Sequence, residues 1–216
     1  MGKMEQNLIS KLEKVSKNIS SGTLSYPTLD VIQNSTFYEE VKNVYKNLGG
    51  ILYEIPINLR KWDIEIDGIA VELDEQLHFN RYRNITLQSN IYEQLPKFPL
   101  SNYVTYCKYY EAACISAGSY GGKWSNDSCE KQFGKASSLK NFNGVGAPRW
   151  KQRAFYDFVK DLTNLLFNIP LVRISIHDVI IINNNKIPVK EVIENSGSFG
   201  SLELYELIKE RTQLFD

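Results

Sequence analysis

Apolar residues recur at helical spacing over several stretches of the chain. In EQNLISKLEKVSKNI, residues 5–19, Leu8, Ile9, Leu12, Val15 and Ile19 fall on one side and predict an amphipathic helix that stops at the following Ser-Ser-Gly. A second helix is predicted over 35–48, with Phe37, Val41, Val44, Tyr45 and Leu48 as its buried stripe and Gly49-Gly50 as its stop. ILYEIPINL, 51–59, reads as a strand whose Pro56 favours an edge or a bulge. Helices are predicted over 78–93 and 103–118. Residues 119–149 are rich in Gly, Ser and Asn and read as a loop whose tract NFNGVGAPRW suits either a close approach to a ligand or an irregular connection. WKQRAFYDFVKDLTNLL, 150–166, is helical again, with Phe155, Phe158, Val159, Leu162 and Leu166 toward the core. A strand at 171–176, a hairpin at 179–189 and a final helix from 201 complete the pattern.

Between the second and third helices the period changes from helical to twofold. In KWDIEIDGIAVELDEQLHF, 61–79, an Asp67-Gly68 turn of the I′ type pairs Ile66 with Ile69, Ile64 with Val71 and Trp62 with Leu73, so one face is wholly apolar. The other face pairs Glu65 with Ala70, Asp63 with Glu72 and Lys61 with Asp74. Like charges opposite one another cost up to about 1 kcal/mol per pair. Two readings follow: a divalent cation offsets that cost, or the acidic face is hydrated and Lys61 relieves Asp74.

At 216 residues and 43% hydrophobic content the chain is long and apolar enough for a substantial core, and it belongs to the α/β class, a mixed sheet between helices. The expected organisation is an N-terminal helical extension, 1–34, and a domain over 35–216 with a helical or loop insertion at about 93–148. No stretch nears the roughly 18 apolar residues of a membrane span, and no signal peptide is expected. Three cysteines, Cys107, Cys114 and Cys129, lack zinc spacing and suit a reducing compartment, so a cytoplasmic protein is predicted. The zero net charge is unevenly distributed: residues 61–78 hold six acids and one lysine, whereas Lys135 to Arg153 hold five basic residues and no acid. That basic tract, Lys135, Lys140, Arg149, Lys151 and Arg153, is either a phosphate-contacting surface or a solvated one.

Carboxylates at strand spacing suit Mg²⁺ or Mn²⁺, which take a few anionic oxygens and complete their shell with water and phosphate. WDIEIDGIAVELDEQLHF followed by RAFYDFVKDLTNLLFNIPLVRIS resembles the PD-(D/E)XK nuclease superfamily, in particular its small restriction-endonuclease-like and very-short-patch-repair-like branch. The resemblance implies a restriction-endonuclease-like core, with Asp63 as the first metal-binding aspartate and Glu72 as the acid of the second motif. Asp74 stands where the superfamily often has lysine, as a metal ligand or water-positioning group. His78 matches a histidine after the strand and would support the phosphate or the transition state. Arg153 and Asp157 lie in the later helix, and Arg173 in the following strand. No lysine follows Glu72 at the family interval, which leaves Lys61 to reach the site from the opposing strand and Gln76 to position water. Glu39 and Glu40 resemble a helix glutamate that some members direct at the metal, and are otherwise solvent-facing. Trp124 and Trp150 would stack on bases or anchor a loop. The implied function is a divalent-metal-dependent DNA endonuclease, in restriction or defence, acting as a homodimer. The alternatives are an inactive nuclease-fold module that binds nucleic acid or a protein, and a structural α/β protein.

Overall fold

The computed structural model describes residues 2–20 and 22–212. Helix α1, Lys3–Leu12, buries Leu8 and Leu12, and the Glu5 carboxylate accepts from the Gly2 amide at its start. It ends well before the predicted Ile19. That residue instead begins strand β1, Ile19–Ser20, so one apolar periodicity spans two elements. Helix α2, Leu29–Gln33, is capped by the Thr28 hydroxyl. Helix α3, Tyr38–Asn47, buries the predicted Val41, Val44 and Tyr45 and stops at Gly49, whose φ of 82° suits glycine. The strand expected over 51–59 does not form. These residues run as irregular chain with no partner strand among the described residues, tied by the Ile51 amide to the Gln132 carbonyl and leaving Ile51, Leu52 and Tyr53 exposed.

The hairpin forms in the expected register. Strands β2, Ile64–Ile66, and β3, Ile69–Asp74, pair Ile64 with Val71, Glu65 with Ala70 and Ile66 with Ile69. Asp67 and Gly68 both take positive φ, as a I′ turn requires. Beyond it, the helix expected over 78–93 is divided. A 3₁₀ turn at Gln76–His78 leads to α4, Arg81–Thr86, which starts where the Asn80 side chain accepts from the Tyr82 and Arg83 amides, and another 3₁₀ turn covers Asn90–Gln94. The predicted 103–118 helix is two, α5, Leu100–Tyr109, and α6, Glu111–Gly118, broken at Tyr110. The expected loop 119–149 also contains helices, α7, Gly121–Trp124, and α8, Asp127–Phe133. Helix α9, Pro148–Asp161, and α10, Thr163–Phe167, are followed by β4, Leu171–Ser175. Strands β5, Val179–Ile182, and β6, Asn185–Pro188, form the predicted hairpin around Asn183-Asn184. Helices α11, Val189–Glu194, and α12, Ser201–Glu210, follow; the last residues of the predicted terminal helix, 213–215, lie outside the described residues.

The main sheet has the order β1-β2-β3-β4, antiparallel except for the parallel β3–β4 pair, and β5–β6 form a second small sheet. Among the described residues no helix is long and apolar enough to cross a membrane. The N-terminal segment and the region 93–148 share one core with the rest: Leu8, Leu12, Tyr103, Trp124 and Phe133 belong to the same buried cluster as Val71 and Phe158. The β3–β4 register sets up the site. Glu72 faces Arg173 and Asp74 faces Ser175, so these four side chains share one face, with Val71, Leu73, Val172 and Ile174 on the other.

Candidate functional site

The polar face of β3 and β4 meets helix α9. At 3.6 residues per turn, Arg149, Arg153, Tyr156 and Lys160 form one stripe of α9, Asp157 and Asp161 an adjoining one, and Phe155, Phe158, Val159 and Leu162 the core face. Buried charges persist only when paired, and here they are. The Arg173 guanidinium donates from Nε to Asp161 Oδ1 at 2.5 Å, from Nη1 to Asp74 Oδ1 at 2.7 Å and from Nη2 to the Asp157 carbonyl at 2.8 Å. Asp161 also accepts from Arg83 Nη2 and from the Tyr92 hydroxyl, each at 2.7 Å. Asp74 accepts from the Tyr103 hydroxyl at 2.7 Å. His78 Nδ1 lies 2.8 Å from Asp157 Oδ2 and 3.1 Å from Asp74 Oδ1.

This network shifts the ionisation of His78 and Asp157. Burial alone would lower the pKa of His78, but Asp157 and Asp74 outweigh it and hold the imidazole above its ordinary value. Burial would likewise raise Asp157, yet His78 and Arg173 hold its carboxyl far below the usual carboxylate range. Asp74, His78 and Asp157 each offer one ligand atom, all within 4.8 Å of one another, a spacing an ion could use. Arg173 and Tyr103 already satisfy Asp74 there, so positive charge is supplied by the protein itself.

In front of this layer lie two clefts. The first, about 370 Å³, is lined by Glu72, Lys160, Arg60, Arg149 and Tyr156 among others. The second, about 320 Å³, is lined by Asp63, Glu5, Glu75, Gln76 and Lys123 among others. His78 and Arg153 line both and stand at their junction. Glu72 is 5% exposed and accepts from Lys160 Nζ at 2.5 Å. Burial first, and then the charge of Asp63, push its carboxyl up to about 7, against the pull of Lys160 and Arg173. Asp63 accepts from the Leu73 amide at 2.9 Å, and burial raises its pKa as well. Two carboxylates of raised proton affinity thus face adjoining clefts, Glu72 the first and Asp63 the second, close enough for the charge of Asp63 to be felt by Glu72.

The predicted residues divide. Asp63, Glu72 and His78 come together at the clefts, Gln76 lines the second, and Asp74 lies behind them against Arg173. The acidic face is not the hydrated one: Glu65, Glu72 and Asp74 are all buried. Glu65 leaves the site altogether, accepting from the Gly22 and Thr23 amides and the Thr23 hydroxyl. Lys61 does not supply the amine. Its exposed side chain lies beside Gly22, and only its carbonyl approaches the site, accepting from Lys160 Nζ at 3.3 Å. Lys160, which sequence reasoning missed, takes that place from the far side of the chain.

The basic tract is also split by helix geometry. Arg149 and Arg153 line the clefts, whereas Lys151, half a turn away, is buried with its ammonium 5.4 Å from the Tyr82 ring centroid. Lys135 and Lys140 line neither cleft, because they precede α9 in the irregular segment between α8 and α9. Glu39 pairs with Lys42 and Glu40 with the Ser89 hydroxyl, while Glu5 of α1 occupies the second cleft instead. Trp124 and Trp150 are buried, edge to face at 5.2 Å, and anchor the tract rather than presenting rings to solvent. The glycines of that tract serve a close approach to protein: Gly146, at φ 72°, leaves room for the Tyr82 hydroxyl. The spacing of Arg149, Arg153, Tyr156 and Lys160 was the available sequence signal for the cleft face.

The chain matches the family described as Family of unknown function (DUF7255) over residues 43–195, and it belongs to that family. No curated protein matches it, and no solved structure does.

Proposed function

We propose that this chain, as a member of DUF7255, is a divalent-metal-dependent endonuclease that hydrolyses DNA phosphodiesters. The observation that carries the reading is that Glu72, with Lys160 upon it, lines a cleft walled by Arg60, Arg149 and Arg153, that Asp63 lines the adjoining cleft, and that His78 and Arg153 line both. The arginines bind and orient the phosphate backbone. Asp63 and Glu72 would hold Mg²⁺ or Mn²⁺, which when bound supplies Lewis-acid stabilisation of charge on the phosphoryl group. Lys160 sits on Glu72 and adds a fixed positive charge beside the reacting phosphate. His78 keeps Nδ1 on Asp157, leaving Nε2 for a phosphate oxygen; its two aspartates favour the charged imidazolium, which would stabilise the negative charge of the transition state.

D63A and E72A are expected each to lower Mn²⁺-dependent cleavage by at least about 100-fold and to abolish Mn²⁺ binding measured by titration, with DNA affinity largely kept. H78A should cost less than either. Unchanged metal binding in the double variant overturns the metal assignment. A second reading, an inactive module that binds nucleic acid, is favoured by the ion pair that Lys160 already makes with Glu72. Tight DNA binding without cleavage on any substrate supports that one.

A further inference from the structure

The site is two pockets meeting at a ridge, and this shape bears on the substrate. Each cleft, at about 370 and 320 Å³, lies at the small end of the range for ligand sites, roughly 300–1,000 Å³. The carboxylate pair is divided between them, Glu72 in the first and Asp63 in the second, with His78 and Arg153 common to both. Different elements wall each cleft: residues 58–60, α8 and α9 the first, and α1, α6 and α7 the second. Glu72 is recessed at 5% exposure, so a phosphate must enter the fold to reach it.

A tyrosine lines the first cleft, and another lies outside the lining of the second, against its Lys123. Tyr156 lines the first and is half-buried, its hydroxyl accepting from Gln132 Nε2 at 3.4 Å. Tyr120, 52% exposed, is held by Lys123 of the second cleft, whose ammonium lies 4.7 Å from the ring centroid. Aromatic rings interleaved with cations are the means by which proteins hold unstacked bases, because every base offers a π-face and every phosphate a charge.

Building on the hydrolytic reading, we infer that the substrate is a single-stranded polynucleotide bent across the ridge. The scissile phosphate lies at His78 and Arg153, one flanking nucleotide enters each cleft, and the flanking bases rest on Tyr156 and Tyr120. A stacked duplex keeps its bases paired inside and cannot place one in each pocket without melting.

The test is fluorescence anisotropy with a short labelled DNA strand, the same sequence as RNA, and the DNA as a blunt duplex, all in EDTA so that nothing is hydrolysed. A single strand of either sugar is expected to bind at least about tenfold more tightly than the duplex, the two arms showing which sugar the clefts accept. Y120S and Y156L are each expected to weaken single-strand binding by about tenfold, while Y156F, which keeps the ring, retains it. Duplex binding as tight as the single strand, single-strand binding indifferent to both tyrosine variants, or no binding of any form overturns the inference. The two readings fail separately. Single-strand binding without Mn²⁺-dependent cleavage removes the hydrolytic reading and leaves this one, and cleavage confined to duplex does the reverse.

Discussion

Arg173 is the residue on which the largest number of buried charges depends. It meets Asp74, Asp157 and Asp161 at once, and a planar guanidinium can do so where the compact ammonium of lysine cannot. Removing one partner of a buried ion pair typically costs about 3–5 kcal/mol. R173M is therefore expected to lose at least that much stability in urea unfolding, and R173K a large part of it; a loss below about 1 kcal/mol for both would refute the network's structural role. The two histidines titrate in opposite senses. His177 stacks on Tyr110 with centroids 3.5 Å apart and planes 3° apart, and its Nε2 is buried without a hydrogen-bond partner among the described residues. Burial, only partly opposed by Asp178, pulls it down to about 4 from an ordinary 6.5. The unfolded chain thus takes up the proton first as the solution is acidified. The contribution of His177 is complete above pH 6.5 and is lost as pH falls toward 4, by about 1–2 kcal/mol once partial solvent screening is allowed for. His78, raised above its ordinary value, contributes below that value and loses the contribution at higher pH. The difference in pH–stability profile between the wild type and H177F isolates the first effect, and a difference that does not change between pH 4 and 7 refutes it.

Helix α9 carries core, network and cleft on three stripes. Its period places Arg149 and Arg153 on the cleft and turns Lys151 inward to the Tyr82 ring. The helix, rather than the count of positive charges before and within it, decides which of them can touch phosphate. Neutralising Arg149 and Arg153 together should flatten the slope of log affinity against log salt by about 0.7–0.9 for each phosphate no longer neutralised. Neutralising Lys135 and Lys140 should leave that slope unchanged. The opposite pattern, measured across a salt series, would move the nucleic-acid surface to the irregular segment before α9.

Across the whole molecule, the N-terminal segment and the region 93–148 are built into one core. Leu12, on the first helix, and Phe133, in α8, are as fully buried as the sheet residue Val71. Leucine-to-alanine changes in such positions cost about 2–5 kcal/mol. L12A is accordingly expected to lower the urea midpoint of the entire protein, with far-ultraviolet circular dichroism and tryptophan fluorescence still reporting one coincident transition. Two separated transitions would show that the segment folds apart.

The sequence by itself determined what neighbouring residues can decide. Alternation of apolar positions about Asp67-Gly68 set the hairpin and its register, and helical periodicity set α3, α9 and most of their buried stripes, although the single helix read over 150–166 divides at Leu162 into α9 and α10, with Leu166 only partly buried. It also brought Asp63, Glu72 and His78 into consideration, because strand geometry relates them within a few residues. Tertiary structure decided the rest, for reasons of distance and competition. Lys160 and Arg173 reach Glu72 and Asp74 from 88 and 99 residues away in sequence, a pairing no local period encodes. The stretch 51–59 has strand composition but no partner strand, and 78–93 is interrupted where Asn80 caps a new helix. Burial of the acidic face against α9 was likewise beyond local pattern. A carboxylate reads the same in a hydrated hairpin as in a buried site, and only the helix packed upon it separates the two.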